Sequence, residues 1–406
     1  MSYKDVQQSE LWEISRQLVS FNTVSTLSNV QAAEYLASLL EDQGYTVRML
    51  KETVHDVEKA NLVAWAGPEV PGGLILSGHM DIVPFEGQPG WRSNPLELYL
   101  EDDTIFGRGV SDMKVFLAQA ILAARRYPVS QLKRPVMYIF TCDEEVAAQG
   151  SARLVHELPT LFADYPLPRV ALIGEPTGYN IFPAHKGFAM FDIIVHGVGG
   201  HSSNPSKGLS AIEKMGDVIH LVQDLNNNLR EKILPENKQL FPEAPSSVLN
   251  LGMIHGGLAS NMIAETCHLT VSVRVAPGDQ PEEIITSLRE RIACEIVPTM
   301  LSAVPGKSNV GITLENIIAT PGMSSPVDHA FCALLRRVMD RRVDRGAPYA
   351  TDGGQFEQIG INSYVCGPGL LEQAHQPNES ISLSHFASGQ EKVERVIYEW
   401  CVEPEN

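Results

Sequence analysis

The chain has 406 residues, 44% of them hydrophobic, and a formal net charge of -18. That is enough apolar material for one large core or two ordinary ones, and so acidic a surface excludes nucleic acid and anionic membrane as natural partners. No run of about 18 apolar residues occurs, which excludes a membrane-spanning helix. Residues 1–8 are polar and lack the apolar core of a signal peptide, so the cytoplasm is the expected location. Cys142, Cys267, Cys294, Cys332, Cys366 and Cys401 form no Cys-x-x-Cys pair and mostly sit in apolar runs. They read as buried free thiols of a reducing compartment.

Apolar residues recur at helical spacing over 9–21 and 30–43, and Gly44 stops the second helix. Residues 45–50 and 62–66 read as strands. Four short apolar runs follow, at 74–76, 136–140, 170–173 and 361–366. Each looks like a buried strand, and helical segments lie between several of them, which predicts an α/β fold with a largely parallel sheet covered on both faces. Functional groups of such sheets gather beyond the carboxyl ends of strands, and here a histidine or an acid follows every one of the four.

Between 185 and 302 the rhythm changes to strand (187–196), helix (208–230), strand (247–255), strand (265–275), helix (280–293) and a final edge strand. This β-α-β-β-α-β order is a complete small ferredoxin-like α+β unit. It interrupts a first domain that occupies 1–184 and resumes over 303–406.

Ser77-Gly78-His79-Met80-Asp81-Ile82-Val83-Pro84 follows the first of the four strands. On an extended chain His79 and Asp81 point to one face, and a metal-bound imidazole usually donates its other N–H to an oxygen. The alternative is a core histidine beside a turn aspartate. Gly107-Arg108-Gly109-Val110-Ser111-Asp112-Met113-Lys114 sets Asp112 at the start of a helix running from 115. It is either a first-turn acid or a carboxylate that bridges cations. Asp143-Glu144-Glu145 repel one another unless something positive is near; an acidic helix start is one explanation. A metal site is the other, with one glutamate as ligand and its neighbour as proton acceptor. Glu175 in Gly174-Glu175-Pro176-Thr177 and His375 in Gln373-Ala374-His375-Gln376-Pro377 complete a set of nitrogen and oxygen donors that suits zinc, cobalt or manganese better than calcium or magnesium.

In this order and over nearly the whole chain, these elements resemble the di-zinc family of aminoacylases, carboxypeptidases and related deacylases. The resemblance implies a zinc-peptidase-like mixed sheet flanked by helices. It implies two divalent cations, Zn2+ foremost with Co2+ or Mn2+ as alternatives. His79 and Glu175 would hold one and Glu145 and His375 the other, with Asp112 bridging both through a residue whose peptide to Met113 is cis. Glu144 would be the general base and then the acid, and Asp81 would orient His79. The inserted unit would be a lid and the surface of a homodimer. His201, in Gly199-Gly200-His201-Ser202-Ser203, would reach a substrate, often across the dimer, and donate to the oxyanion; a plain loop histidine is the alternative. Asn261 and Arg274 match positions that contact substrate in the family. An arginine suits a carboxylate because its planar fork binds both oxygens, although on a strand it can also be merely exposed.

The segments Ala184-His185-Lys186-Gly187, Ile254-His255-Gly256-Gly257, Ala259-Ser260-Asn261, Gly367-Pro368-Gly369 and Glu372 to Pro377 narrow the resemblance. They imply a small N-acylated amino acid as substrate, N2-acetyl-L-ornithine hydrolysed to ornithine and acetate in arginine biosynthesis. Succinyl-diaminopimelate, another N-acyl amino acid or a dipeptide are alternatives of the same mechanism. A non-catalytic binding protein on the same scaffold is the alternative of another class, and the presence of His79, Asp112, Glu144, Glu145, Glu175 and His375 together speaks against it. One departure stands out. Thr351-Asp352-Gly353 replaces the family's commoner Thr-Glu-Ala; if that acid pairs with a substrate ammonium, the shorter Asp352 would favour a different amine.

Overall fold

The computed structural model describes residues 3–343 and 345–404. It divides into two compact units. The first comprises the chain up to Ala184, Met323–Arg345 and the residues from Thr351 on; the second comprises His185–Gly322 and Gly346–Ala350.

After a short helix at Tyr3–Gln7, the first unit continues with α1 (Glu10–Ser20) and α2 (Val30–Glu41). Ser9 caps α1, its hydroxyl accepting the Trp12 N–H at 3.2 Å. β1 (Thr46–Val54) and β2 (Val57–Ala66) form an antiparallel hairpin. Both strands run further than the sequence reading has them. The turn between them is His55-Asp56, both at positive φ, a conformation usually signalled by Asn-Gly, so nothing in the sequence marks the hairpin. β3 (Leu74–His79) follows, then β4 (Tyr99–Glu101) and β5 (Thr104–Phe106), α3 (Lys114–Arg126), β6 (Val136–Thr141), α4 (Gln149–Leu161) and β7 (Val170–Ile173).

The second unit is built from β8 (Gly187–His196), β9 (Gly200–His201), α5 (Ala211–Glu231), β10 (Val248–Gly256), β11 (Met262–Ile263), β12 (Thr266–Val275), α6 (Pro281–Arg291) and β13 (Gly311–Thr320). Its four-stranded sheet is antiparallel throughout, in the order β10-β12-β8-β13. Side chains alternate along β12, so Cys267, Leu269, Val271 and Val273 pack with Phe191 and Ile193 of β8 against Met215, Val218 and Val222 of α5 and Ile285 and Leu288 of α6. The last strand comes later than the sequence reading has it. Residues 292–303 continue as helix, and the edge strand is β13, which carries this unit to Gly322 rather than to 302.

The first unit then resumes with α7 (Ala330–Met339), α8 (Gly353–Gln358), β14 (Asn362–Val365), β15 (Ser380–Ser382) and α9 (Leu383–Ile397). Its six-stranded sheet has the order β1-β2-β6-β3-β7-β14. β3 is parallel to β6 and β7, and β7 to β14, while β1 and β2 run antiparallel at one edge. Alternate residues serve opposite faces. Leu74, Leu76, Tyr138, Phe140 and Tyr364 join a core with α1, α2, α3, α7 and α9. Ile75, Met137, Ile139, Ile173 and Val365 join another with Leu154 and Leu158 of α4 and Phe356 of α8. A sheet covered on both faces needs continuous apolar strands, which is why these four runs stand out in the sequence.

All six cysteines are free; five are buried as expected, and Cys294 is exposed. Among the described residues no helix is long and apolar enough to cross a membrane.

Candidate metal centre

The parallel strands β3, β6, β7 and β14 end on one edge of the sheet. His79 is the last residue of β3, Glu144 and Glu145 lie just past β6, Glu175 just past β7, and His375 in the loop after β14. Gly174 lets Glu175 start there, because a Cβ at 174 would run into the Phe116 ring of α3.

Asp112 sits at the middle of this group. It does not cap α3, whose N-cap is Met113 without a side-chain bond. Instead Oδ1 of Asp112 lies 2.9 Å from Nε2 of His79, and Oδ2 lies 3.2 Å from Nε2 of His375. The Asp112–Met113 peptide is cis. Glu145 meets His375 Nε2 at 3.0 Å and Glu175 lies 3.9 Å from His79 Nε2. The ligand atoms of His79, Asp112 and Glu145 fall within 4.8 Å of one another, as do those of His79, Glu144 and Glu175.

The electrostatics of the group call for cations. Burial, and next Glu175, push the Glu144 carboxyl well above its ordinary value; burial and Asp112 do the same to Glu175. Burial and Asp112 push Glu145 up to about 7. His375 is raised to about 10 by its bonds to Asp112 and Glu145. Burial disfavours a charged His79, but the bond to Asp112 and the charge of Glu175 overcome that and raise it well above 6.5. Asp112, despite burial, is held below the usual carboxylate range by His375 and His79. Two residues test the fit of a metal directly. Glu175 Oε1 is buried with no hydrogen-bond partner, and such an orphan acceptor is what a bound cation satisfies. Nδ1 of His79 lies 2.9 Å from the Asp81 carbonyl oxygen, which can only accept. Nδ1 therefore carries a proton, and Nε2, which faces the acids, is the nitrogen that would be left for an ion once its own proton is displaced. Nitrogen and oxygen donors with no thiolate fit a borderline divalent ion.

Two of the expected site residues are placed otherwise than the sequence reading has them. Asp81 faces His79 through its backbone; its carboxylate Oδ1 is 3.7 Å away from the ring. β3 stops at His79, so the alternation that would align the two side chains does not extend to Asp81. The Asp81 carboxylate instead accepts the N–H groups of Glu144 at 3.1 Å and Glu145 at 3.2 Å and the Ser25 hydroxyl at 2.8 Å. Asp352 is 1% exposed, and its Oδ2 accepts the Thr141 hydroxyl at 2.6 Å. Its carboxyl, raised by burial, acts on Glu144 and Glu175 through charge, and its Oδ1 is buried without a hydrogen-bond partner.

Of the three consecutive acids, Asp143 takes the positive partners. Lys59 Nζ is 2.9 Å from it and Arg153 Nη2 2.8 Å, and Lys59 also donates to the carbonyls of Ser25 and Leu27, each at 2.7 Å. Glu145 is thereby left to His375. Sequence reasoning missed Lys59, Arg153 and Thr141. It also missed Arg108 and Glu379, whose buried ion pair of 2.9 Å is signalled only by an arginine between two glycines beside Asp112.

In the second unit His201 and Asn261 come together. β9 pairs with β11, His201 opposite Met262, and the Asn261 carbonyl accepts the Ser202 N–H at 3.0 Å. Nδ1 of His201 accepts the Ser203 N–H at 3.2 Å. Arg274 is exposed on β12, its guanidinium 4.9 Å above the Phe188 ring.

A sheet edge that collects two histidines and four carboxylates in this way is the site of a metal-dependent hydrolase that acts on an amide bond. Residues 75–399 match peptidase family M20/M25/M40, and the chain belongs to that family. It is 32% identical over 397 residues to acetylornithine deacetylase of Photorhabdus laumondii and 33% identical over 397 residues to that of Klebsiella pneumoniae. Each match covers 96% of this chain and 97% of the relative. Its fold is that of an M20 family metallo-carboxypeptidase from Sulfolobus solfataricus, with a TM-score of 0.74 at 15% identity over 96% of this chain and 99% of the other. A dinuclear metal binding peptidase of the M20 family from Bacillus subtilis aligns with a TM-score of 0.62 at 16% identity, over 96% and 97% of the two chains.

Proposed function

We propose that the chain removes the acetyl group from N2-acetyl-L-ornithine to give ornithine and acetate, with two divalent ions. The observation that carries the reading is the division of the Asp112 carboxylate between His79 and His375 within a buried group of acids. The choice of substrate is supported by the curated acetylornithine deacetylases, similar over 96% of the chain.

In this reading His79 and Glu175 hold one ion, Glu145 and His375 the other, and Asp112 both; zinc, cobalt(II) and manganese(II) all suit such ligands. Bound ions supply positive charge that makes a water molecule more acidic and polarises the amide carbonyl. Glu144 takes the proton of the attacking water on its carboxylate and returns it to the departing nitrogen. Asp81 keeps Glu144 in place through the backbone. His201, with Nδ1 engaged as acceptor by the Ser203 N–H, offers Nε2–H to the substrate oxygen. Asn261 adds a polar contact, and the Arg274 fork takes the substrate carboxylate. A homodimer through the second unit is supported by its open edge strand β10, where Met253 and Ile254 are 58% and 51% exposed.

The test is ninhydrin-detected amine release from N2-acetylornithine, beside succinyl-diaminopimelate and a dipeptide, each with and without chelator. Chelator-sensitive release from acetylornithine alone is the expected result. Release only from another of the three moves the substrate and keeps the chemistry; release from none removes both.

A further inference from the structure

The two histidines that flank Asp112 are held in different ways. His79 ends a strand and is 1% exposed, whereas His375 lies in a loop, at φ +61, with half its side chain exposed. Positive φ for a non-glycine residue persists only where neighbours impose it. The neighbours that do so start at Glu379. β15 pairs with β5, Ser380 opposite Phe106, which sets Glu379 against the Gly107–Asp112 turn. Its carboxylate is 1% exposed and accepts four donors from that turn. These are Arg108 Nη1 at 2.9 Å, Gly109 N at 3.0 Å, Ser111 N at 2.9 Å and Asp112 N at 3.1 Å. Arg108, equally buried, donates through Nη2 to the Gln88 side-chain oxygen at 2.7 Å, and Gln88 Nε2 donates to the His375 carbonyl at 2.9 Å. Trp91 stacks on the Arg108 guanidinium at 5.0 Å and donates to the same Gln88 oxygen at 3.1 Å. One unbroken series of hydrogen bonds thus joins the Asp112 backbone to the His375 backbone.

From this geometry we infer that Glu379, with Arg108 and Gln88, is a positioning group that fixes the Asp112–His375 separation and so governs uptake of the ion held by Asp112, Glu145 and His375. The ion held by His79 and Glu175 shares Asp112, but its other two ligands are fixed by the ends of β3 and β7, so it depends on this series less. The inference rests on the two-ion reading above. A carboxylate that merely supported the fold would weaken both ions and the whole unit together, whereas a positioning group separates the two binding events.

The experiment is a calorimetric titration of the chelator-stripped full chain with Zn2+, for the wild type, Glu379→Gln and Gln88→Ala, with thermal melting alongside. Two binding events are expected in the wild type. In Glu379→Gln the weaker event is expected to lose about tenfold or more in affinity, with the tighter event, which shares only Asp112, losing distinctly less. Should Glu379→Gln fail to fold, Gln88→Ala decides, since it leaves the Arg108–Glu379 pair and the Asp112 turn intact while it removes the link to His375 together with the acceptor of Arg108 Nη2 and Trp91 Nε1. A Gln88→Ala chain, or a folded Glu379→Gln chain, that binds both ions as the wild type does overturns the inference, and so does equal weakening of both. A wild type that binds a single ion or none instead overturns the two-ion reading itself.

Discussion

The carboxylate of Asp81 accepts the backbone N–H of Glu144 at 3.1 Å, and so holds the one acid of the cluster that no histidine contacts. The same carboxylate takes the next N–H, that of Glu145. Asp81→Ala leaves both donors without this acceptor while the Asp81 carbonyl still holds His79. The expected outcome is a fall in kcat of about 10- to 100-fold with the tighter ion retained, read from steady-state kinetics and metal analysis of the same sample. Loss of the His79 ion with kcat per ion unchanged would show that Asp81 acts on the ring after all.

Glu144→Gln keeps the side-chain volume and removes the proton acceptor. Turnover is expected to fall by at least about 100-fold, with both ions still bound by titration. A variant of near wild-type activity removes Glu144 from the chemistry.

Without ions the cluster makes stability depend on pH. Glu144 and Glu175 are held well above the ordinary 4.5, and Glu145 lies at about 7. Raised carboxyls keep protons in the folded chain that the unfolded chain has already released. For Glu145 that stabilisation is full below 4.5 and is lost as pH rises through about 7, and Glu144 and Glu175 contribute with the same sign. His375 has the same sign in a higher window, full below 6.5 and lost through about 10. The chelated chain is therefore expected to melt progressively lower from about pH 5 to about pH 8 relative to the zinc-loaded chain. Parallel melts in chelator and in zinc check it, and a constant gap between them counts against the cluster as the cause.

Lys59 and Asp143 are each about 3% exposed. Lys59→Met leaves Asp143 with Arg153 alone, and the expected cost is about 3 kcal/mol of unfolding free energy by denaturant titration. A change within experimental error would mean that Arg153, which also pairs with Glu52, carries the charge of Asp143 by itself.

The strand ends were legible because buried parallel strands are continuous apolar runs, and a histidine or acid directly after such a run has one place to go. That reasoning reaches His79, Glu144, Glu145 and Glu175. It does not reach the partner of each side chain. Spacing at i and i+2 pairs His79 with the Asp81 carboxylate only on an extended chain, and β3 stops one residue too early. Asp352 looks like a loop acid in the sequence, and only the packing of Thr141 against it shows that it is enclosed. Glu379 bonds to residues 267–271 positions earlier, with no local pattern to connect them. The His55-Asp56 turn lacks glycine, so the β1–β2 hairpin is hidden as well.

Chain order has a consequence for biosynthesis. Five of the six strands of the large sheet, with His79, Asp112, Glu145 and Glu175, precede the inserted unit, while β14, His375 and Glu379 follow it. On the ribosome the inserted unit is complete, with both edges of its own sheet made, before the sixth strand has been translated. Four ligands then wait on an unfinished sheet, with unshielded acids on its edge, for nearly half of the synthesis of the chain. Closure by His375 is the last event of assembly, so a translation product broken off between Ala350 and β14 contains a whole inserted domain and an incomplete ligand set.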